Sequence, residues 1–317
     1  MPQSIRSKAR DRCEALLARS LAALFRSFPQ WACAVLASVL GAILAAGDRR
    51  HRRIMMRQMR LAFGSAISER GLRRLSRACY RHEVLCAMEL IRLPKVDAEY
   101  VARHVDMAEA AKGAPLKASG RGVLVITGHI GSWELMGHVT ALAGYPVTAL
   151  VRPIKNPLLN AELERLRTLS GNQILRKYNS IREIRRRLQA GEWVGFLYDQ
   201  SGGPDDAFIP FFGLPAATWR SASFLQWKCQ APIAVATLLR EDWMGARFAL
   251  RVHRILEPRQ GESRDEAETR VLTEINAAFE EAIRAHPEQW LWQQRRWKTR
   301  PPGETLRLVD GVPVLEE

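Results

Sequence analysis

The sequence predicts an α/β fold, in which a mixed sheet is flanked by helices and preceded by a helical, membrane-anchoring front. Two observations lead to this prediction. From about residue 120 onward, apolar runs of strand length alternate with amphipathic stretches of helical length, which is typical of βαβ units. The first sixty residues instead combine a long uncharged stretch with many basic residues. A chain of 317 residues can bury one large core or two modest ones.

The N-terminal front contains 16 consecutive residues without a charge, Trp31 to Ala46. A helix that spans a bilayer needs roughly 20 apolar residues, so this segment could span with little tilt or lie partly embedded. The preceding Ala15 to Phe25 stretch is also mostly apolar. Together the two predict a membrane anchor. A secretory signal is disfavoured by the basic Arg49 to Arg53 block that follows, and a buried core helix is the remaining alternative.

The charge balance predicts an acidic partner. The chain has 48 Lys and Arg against 33 Asp and Glu, a net charge of +15, and residues 1–60 carry twelve basic and three acidic side chains. We therefore divide the chain into a basic, membrane-anchoring segment, 1–52, and a single α/β domain, 53–317, whose part 53–95 is helical. The five cysteines lack a Cys-x-x-Cys pair, which favours reduced thiols in a cytosol-facing protein.

The predicted elements follow from hydrophobic periodicity, helix starts and breakers. The predicted helices are 53–63, 68–92, 132–143, 157–169, 180–190, 218–229 and 264–285. The predicted strands are 122–128, 146–152, 193–198, 232–239 and 247–256. No internal repeat interrupts this order, so the elements from residue 122 onward are expected to form one sheet with helices packed on it.

The most informative motif is Gly128-His129-Ile130-Gly131-Ser132-Trp133-Glu134, at a strand end where α/β sheets place their ligands. We expect Glu134 to hydrogen-bond one ring nitrogen of His129 and make the other a better base. The flanking glycines are expected to admit a substrate close to the backbone, and Ser132 to cap the helix whose N-terminus could stabilise an oxyanion. A purely structural histidine is the alternative.

Two further polar groups are predicted at the same sheet edge, because each follows a predicted strand. Arg152 could grip a phosphate or a carboxylate in a bidentate way, or it could be a solvated loop residue. Asp199 and Gln200 could orient a polar acceptor or an arginine, or they could merely cap a turn. The chain lacks dinucleotide, P-loop and His-Glu-x-x-His signatures, so we predict neither a nucleotide cofactor nor a metal.

Two aromatic blocks remain. Phe208 to Gly213 is an apolar loop that could contact an acyl chain or a membrane, although packing on the domain's own core is favoured. His286 to Lys298 interleaves tryptophan with basic residues, which suits a membrane interface or nucleic acid; tryptophans buried in the core are at least as good an explanation.

Taken together, these blocks resemble the lipid A biosynthesis lauroyl/myristoyl acyltransferases, within the wider glycerolipid acyltransferase superfamily. The resemblance runs over nearly the whole chain and implies a glycerolipid-acyltransferase-like fold. It rests on the apolar N-terminal segment, Met59 to Phe63, Gly128 to Glu134, Arg152-Pro153, Asp199-Gln200, Phe211-Phe212-Gly213, Pro287 to Trp292 and Arg295 to Lys298. Arg220 departs from the family, which more often has a small residue there, and this leaves the acceptor and the chain length open.

The resemblance implies roles for individual residues and for partners. His129 would be the general base, oriented by Glu134, and Arg152, Asp199, Gln200 and Arg295 would bind substrate. The donor would be an acyl-carrier-protein thioester, with no cofactor and no metal. The acceptor would be a phosphorylated glycolipid, the lipid A precursor, at the cytoplasmic face of the inner membrane.

Two alternatives stay open at this stage. The first is an acyltransferase with another acceptor, such as a lysophospholipid, an amino-acid lipid or a different glycolipid. The second is a membrane-tethered, basic nucleic-acid-binding protein, which would explain the net charge and the tryptophan-rich block. We predict no nucleic-acid partner, because the nucleic-acid-binding hypothesis does not explain the His129 motif.

Overall fold

The computed structural model describes residues 5–176, 180–244, 247–309 and 312–316. Its helices are α1 (Ile5–Ser27), α2 (Gln30–Gly47), α3 (Arg49–Phe63), α4 (Glu69–Arg92), α5 (Ala98–His104), α6 (Ala114–Ala118), α7 (Trp133–Leu142), α8 (Pro157–Thr168), α9 (Ile181–Gln189), α10 (Ser221–Cys229) and α11 (Arg264–Ala285). Its strands are β1 (Val105–Asp106), β2 (Val123–Thr127), β3 (Thr148–Val151), β4 (Gln173–Arg176), β5 (Trp193–Leu197), β6 (Ala207–Phe211), β7 (Leu214–Thr218), β8 (Ile233–Arg240), β9 (Phe248–Leu256), β10 (Thr305–Val309) and β11 (Val312–Glu316).

The central sheet has seven strands in the order β1-β9-β8-β2-β5-β3-β4. Strands β8, β2, β5, β3 and β4 run parallel to one another, whereas β9 is antiparallel to β8. Every residue of β8 is buried, as expected for a strand covered on both faces. The parallel strands bring their carboxyl ends to one edge of the sheet. The predicted α/β fold, a mixed sheet flanked by helices, is confirmed, and the sheet is largely parallel.

The N-terminal front consists of three helices packed against α4. Helix α2 is long and apolar enough, by length and composition, to cross a membrane. Its small residues face the body of the protein, since Cys33, Ala37 and Gly41 are buried. Asp48 ends α2 and caps α3 by accepting a hydrogen bond from the His51 backbone N–H at 3.1 Å. The proposed division of the chain at residue 52 stays a prediction.

All five predicted strands are present, with bounds within two residues of the prediction. The predicted helix 218–229 begins later, at Ser221, because residues 214–218 pair with β6 as a strand. Phe212 and Gly213, with φ of 52° and 75°, form the tight turn between β6 and β7, in the left-handed region that two-residue hairpins use.

The aromatic blocks belong to the core. Phe211 and Phe212 are buried, and Phe211 packs against the rings of Trp290 and Trp297 at centroid distances of 5.8 and 5.6 Å. Trp292 is fully buried as well. Packing on the domain's own core was therefore the correct explanation for both blocks, and these rings are not available to stack on bases or to enter a membrane.

Candidate active site

The register of two neighbouring strands places His129 beside Asp199. Thr127 at the end of β2 is paired with Leu197 at the end of β5, and each polar residue lies two positions further along. The Tyr198 backbone N–H donates to the Thr127 carbonyl at 2.8 Å, which extends the pairing beyond the strands. The two chain segments therefore leave the sheet side by side.

Asp199 holds His129 through both of its oxygens. Its Oδ1 accepts a hydrogen bond from His129 Nδ1 at 2.9 Å, and its Oδ2 accepts from the His129 backbone N–H at 2.9 Å. Trp290 Nε1 and Gln294 Nε2 also donate to Oδ2, at 2.8 and 2.6 Å. Four donors match the roughly four lone-pair sites of an ionised carboxylate, so the surroundings demand the charged form.

The electrostatics agree with this geometry. Asp199 is completely buried, and burial by itself would raise its pKa; the charge of His129 and the side-chain hydrogen bonds from His129, Gln294 and Trp290 outweigh burial and lower the pKa to about 2. Burial also disfavours the charged form of His129, yet the Asp199 carboxylate prevails and raises the pKa of the imidazole above 6.5. Because ionised Asp199 can only accept, it fixes the proton on Nδ1 and leaves the Nε2 lone pair free.

Glu134 does not occupy the position that the sequence predicts for it. Its carboxylate forms a bidentate ion pair with Arg167 of α8, whose Nε donates to Oε2 at 2.9 Å and whose Nη2 donates to Oε1. The hydrogen-bond partner of His129 is therefore Asp199, from the neighbouring strand, and the predicted Glu134–imidazole bond is wrong. Glu134 still acts on His129 at longer range, since its negative charge contributes to the raised pKa of the ring.

The two glycines that flank His129 serve the protein's own packing. A Cβ at Gly128 would lie 3.0 Å from Asp199 Cγ, and a Cβ at Gly131 would lie 2.1 Å from the Leu238 carbonyl oxygen. Gly131 also has a φ of 63°, which favours glycine. The Asp199 carboxylate and strand β8 approach these glycines, rather than the substrate that the sequence suggested.

Gly131→Ala is expected to lower the free energy of unfolding by about 2 to 4 kcal/mol, because it combines a left-handed backbone with an overpacked contact. Gly120→Ala is the matched control: Gly120 has a φ of 66°, but no atom lies within 4 Å of its Cβ position. The control should lose only about 1 kcal/mol. Urea unfolding of both variants measures the difference, and equal losses would mean that the contact with Leu238 contributes nothing.

A buried polar cluster holds the loop between β2 and α7, residues 128–132, in place. Ser132 donates its hydroxyl to Glu89 of α4, and Glu89 forms an ion pair with Arg240 at the end of β8. The backbone N–H groups of Gly131 and Ser132 donate to the carbonyls of Gln289 and Leu238, at 2.9 and 2.8 Å. Ser132 thus stands at the N-cap position without capping α7, and these two N–H groups are engaged in the fold rather than free for an oxyanion.

The remaining predicted site residues lie at different depths. Arg152 is exposed directly after β3, on the same sheet edge as His129 but beyond β5. Gln200 and Arg295 are exposed as well. The neighbouring Arg296 is fully buried and donates to the Ala217 carbonyl at 2.5 Å, so it is structural. The sequence reasoning missed Trp290 and Gln294 as donors to Asp199; no local pattern marks them, since they come from a segment 91 and 95 residues further along.

An apolar cavity of about 160 Å³ lies between the sheet and α7. Its wall includes Trp133, whose ring meets the His129 ring edge-to-face at 5.1 Å, so one side chain connects the cavity wall to the histidine. The wall continues along β5 to the ring pair of Tyr145 and Trp193, whose centroids are 5.3 Å apart. The cavity therefore extends over the length of β5, about 13 Å at 3.3 Å per residue.

An α/β sheet with a carboxylate-bound histidine at its carboxyl edge, near an apolar cavity, is the arrangement of an enzyme class suited to general-base chemistry on apolar substrates. The sequence profile described as bacterial lipid A biosynthesis acyltransferase matches residues 7–299. The chain belongs to this family.

Individual relatives agree with that assignment. The chain is 34% identical over 188 residues to the lipid A biosynthesis palmitoleoyltransferase of Escherichia coli K12, covering 58% of each chain. It is 26% identical over 208 residues to the lipid A biosynthesis lauroyltransferase of the same organism, covering 65% of this chain and 66% of the relative. It is 23% identical over 183 residues to the E. coli K12 lipid A biosynthesis myristoyltransferase, covering 57% and 55%. The matched stretches span less than two thirds of these relatives.

Proposed function

We propose that this protein is an acyltransferase that moves a fatty acyl chain from an acyl-carrier-protein thioester to a hydroxyl of a lipid A precursor, in late secondary acylation at the cytoplasmic face of the inner membrane. The observation that carries the proposal is the His129–Asp199 pair next to an apolar cavity, in a chain of this family. Late acylation is the step that would need a base for a hydroxyl and a place for a hydrocarbon chain.

In the proposed mechanism His129 is the general base. Asp199 keeps the proton on Nδ1, so Nε2 removes the proton of the acceptor hydroxyl as that oxygen attacks the thioester carbonyl. The tetrahedral intermediate then expels the thiolate of the carrier, which takes up the proton. The positive end of the α7 dipole, at Trp133, lies next to the histidine and would stabilise the oxyanion.

The apolar cavity would hold the acyl chain of the donor. Its wall is made largely of aliphatic and aromatic side chains, and its charged residues in the described part of the chain, Glu134 and Arg167, neutralise each other as a pair. Tyr145 and Trp193 line its far end. A chain whose thioester lies beside His129 would therefore extend along β5 away from the reacting carbonyl.

The exposed cations would serve the polar partners. Arg152 and Arg295 would contact the phosphates of the acceptor, and Gln200 its hydroxyl or amide groups. The surplus of positive charge favours both an acidic carrier protein and an anionic membrane surface. The apolar α2 would attach the protein to that membrane.

Mass spectrometry of lipid A and phospholipids tests the proposal in cells that lack this protein. We expect the wild-type protein to restore a lipid A that carries one more acyl chain, and we expect His129→Ala to restore none. His104→Ala is the matched control, since His104 ends α5, stacked on Tyr100 at 4.5 Å, and strands β9 and β8 lie between the following strand β1 and β2; it should behave like wild type.

Each other outcome points to a specific error. A change in another lipid class with lipid A unchanged would support the alternative acyltransferase, with a different acceptor. Restoration by His129→Ala would refute the assignment of the base. Unchanged lipids in cells that make the wild-type protein would refute the enzyme itself.

A further inference from the structure

We infer that α1 and α2 lie in the plane of an anionic phospholipid surface, and that α2 does not cross the bilayer. The lipid-facing surface consists of the outer faces of both helices and the segment 154–158. This inference rests on the membrane attachment proposed above and adds its orientation, together with the position of the active-site edge relative to the lipid.

Helix α2 packs along α4. Cys33 and Ala37 share an apolar cluster with Leu85 and Met88. Further along, α2 touches the backbone of α4, since a Cβ at Gly41 would lie 2.7 Å from the Arg81 backbone nitrogen. The two helices are therefore neighbours over most of the length of α2.

The charged residues of α4 would make it energetically unfavourable for α2 to span a bilayer. In the same stretch, α4 carries Arg77, Arg81 and Glu83, which are exposed or half-buried. If α2 crossed the hydrocarbon, these charges would have to enter it, and each charged side chain at the bilayer centre costs about 2.5 to 3.5 kcal/mol or more. An in-plane α2 leaves them on the aqueous side.

Helix α1 is also held at both of its ends. Asn156 Nδ2 donates to the Asp11 carbonyl at 3.1 Å and to Glu14 Oε2 at 3.0 Å, which joins the start of α1 to the start of α8. Twelve residues later, about 18 Å along the helix, Arg26 Nε donates to the Ile91 carbonyl at 2.7 Å. Helix α1 therefore lies against the body of the protein.

The turn between the two helices is held in the same way. Arg92, in the last turn of α4, donates from Nη1 to the carbonyls of Phe25 and Phe28, at 2.8 and 2.6 Å. If α1 and α2 left the body of the protein to enter a bilayer, these bonds and those of Asn156 and Arg26 would break together. In the structure, α1 packs on α4 and α8, and α2 packs on α4.

The outer faces of α1 and α2 match a lipid surface. Nine large apolar side chains are each more than 40% exposed there: Leu16, Leu17, Leu21, Leu24, Trp31, Val35, Val39, Ile43 and Leu44. Ile154 and Leu158, 44% and 39% exposed, adjoin α1 through Asn156. The exposed cations Lys8, Arg10, Arg12, Arg19, Arg49, Arg50 and Arg53 accompany these residues on the same helices and at the start of α3. Apolar side chains with a basic border fit the interface of an anionic bilayer.

The orientation has a consequence for the active site. The loop that carries Arg152 ends at Asn156, which is bonded to α1, and the Gly131 carbonyl of the His129 loop accepts from His82 of α4 at 3.1 Å. Helices α1 and α4 therefore border the carboxyl edge of the sheet. A lipid acceptor in the membrane would reach His129 from the surface without leaving the bilayer entirely.

Depth-dependent fluorescence quenching tests the orientation. Single cysteines at Val35, Val39 and Ile43 would be labelled with an environment-sensitive dye, in a chain where the accessible Cys13 and Cys229 are serine. The protein is bound to vesicles of phosphatidylethanolamine and phosphatidylglycerol that carry nitroxides at shallow or deep positions. We expect the three labels to lie at one shallow depth.

Ile181, which is 44% exposed on α9, is the control position, and a label there should remain unquenched. A spanning α2 would instead give a depth gradient of about 12 Å between Val35 and Ile43, and that result would overturn the in-plane orientation while leaving the membrane attachment intact. Absence of quenching at all three positions would overturn the attachment as well.

A binding measurement on the same vesicles completes the test without reading enzymatic activity. Leu17→Asp combined with Val39→Asp should weaken vesicle binding at least about tenfold, since both side chains would contact lipid. Ile181→Asp should leave binding unchanged. Unaltered binding of the double variant would contradict the proposed surface, whatever lipid the enzyme acylates.

Discussion

Asp199→Asn is expected to lower kcat by about 10³ to 10⁴, with the fold intact. The carboxylate accepts the Nδ1 proton of His129 and thereby fixes the ring with Nε2 as the proposed base. An asparagine side chain can present its amide N–H₂ to the ring instead, which favours the opposite tautomer with the proton on Nε2. Steady-state kinetics with an acyl-carrier-protein thioester measures the loss, and thermal unfolding verifies that the variant folds.

The pH profile distinguishes an orienting carboxylate from a merely structural one. The base works only when it is neutral, and Asp199 raises the pKa of His129 above 6.5, so wild-type kcat/KM should fall as pH decreases through that raised value. In Asp199→Asn the charge is lost while burial remains, so the acid limb should move to lower pH. An acid limb that stays in place would exclude Asp199 as the group that sets the pKa.

Glu134→Gln is the control for this assignment. The substitution disrupts the ion pair with Arg167 but leaves the bond between His129 and Asp199 in place. We expect a loss of about tenfold to a hundredfold and a smaller displacement of the acid limb, because Glu134 acts on the imidazole only at long range. A larger loss in Glu134→Gln than in Asp199→Asn would reverse the roles of the two carboxylates.

Gly195→Leu is expected to shift the chain-length preference by about a hundredfold toward shorter acyl donors. Gly195 lies in the middle of β5 and lines the cavity, and a Cβ there would meet only the Val147 side chain, at an ordinary 3.6 Å. A leucine would fill the cavity halfway along. Excluding four methylenes at about 0.8 kcal/mol each removes about 3 kcal/mol of binding energy, which is about a hundredfold in kcat/KM.

The measurement is the ratio of kcat/KM for two donors that differ by four carbons, determined in the same variant. The ratio cancels any general loss of active protein, so a structural defect alone would leave it unchanged. Gly195→Ala should give a smaller shift in the same direction, because it adds a single carbon. A constant ratio across both variants would place the acyl chain outside this cavity.

Much of the fold follows from local patterns in the sequence. The five strands and the helices between them were predicted because burial on both faces of a parallel sheet demands continuous apolar runs, and breakers such as Pro94 and Gly64-Ser65 mark the helix ends. The short strands β1, β4, β6, β7, β10 and β11 were missed. Residues 173–176 are half polar, so they lack the apolar run of a buried strand. Residues 207–218 form a hairpin whose turn places Phe212 at a φ of 52°, a conformation that a phenylalanine in the sequence does not predict.

The sequence by itself determined that His129 stands at a strand end, that Asp199 and Arg152 follow other strands, and that the front of the chain is apolar and basic. Only the tertiary structure decided which carboxylate holds the imidazole. Proximity in the chain favoured Glu134, but the order of strands places β5 next to β2, and strand order is set by packing over the whole sheet. The packing of α2 on α4 likewise required the tertiary structure, because hydropathy cannot reveal that a charged helix lies along α2.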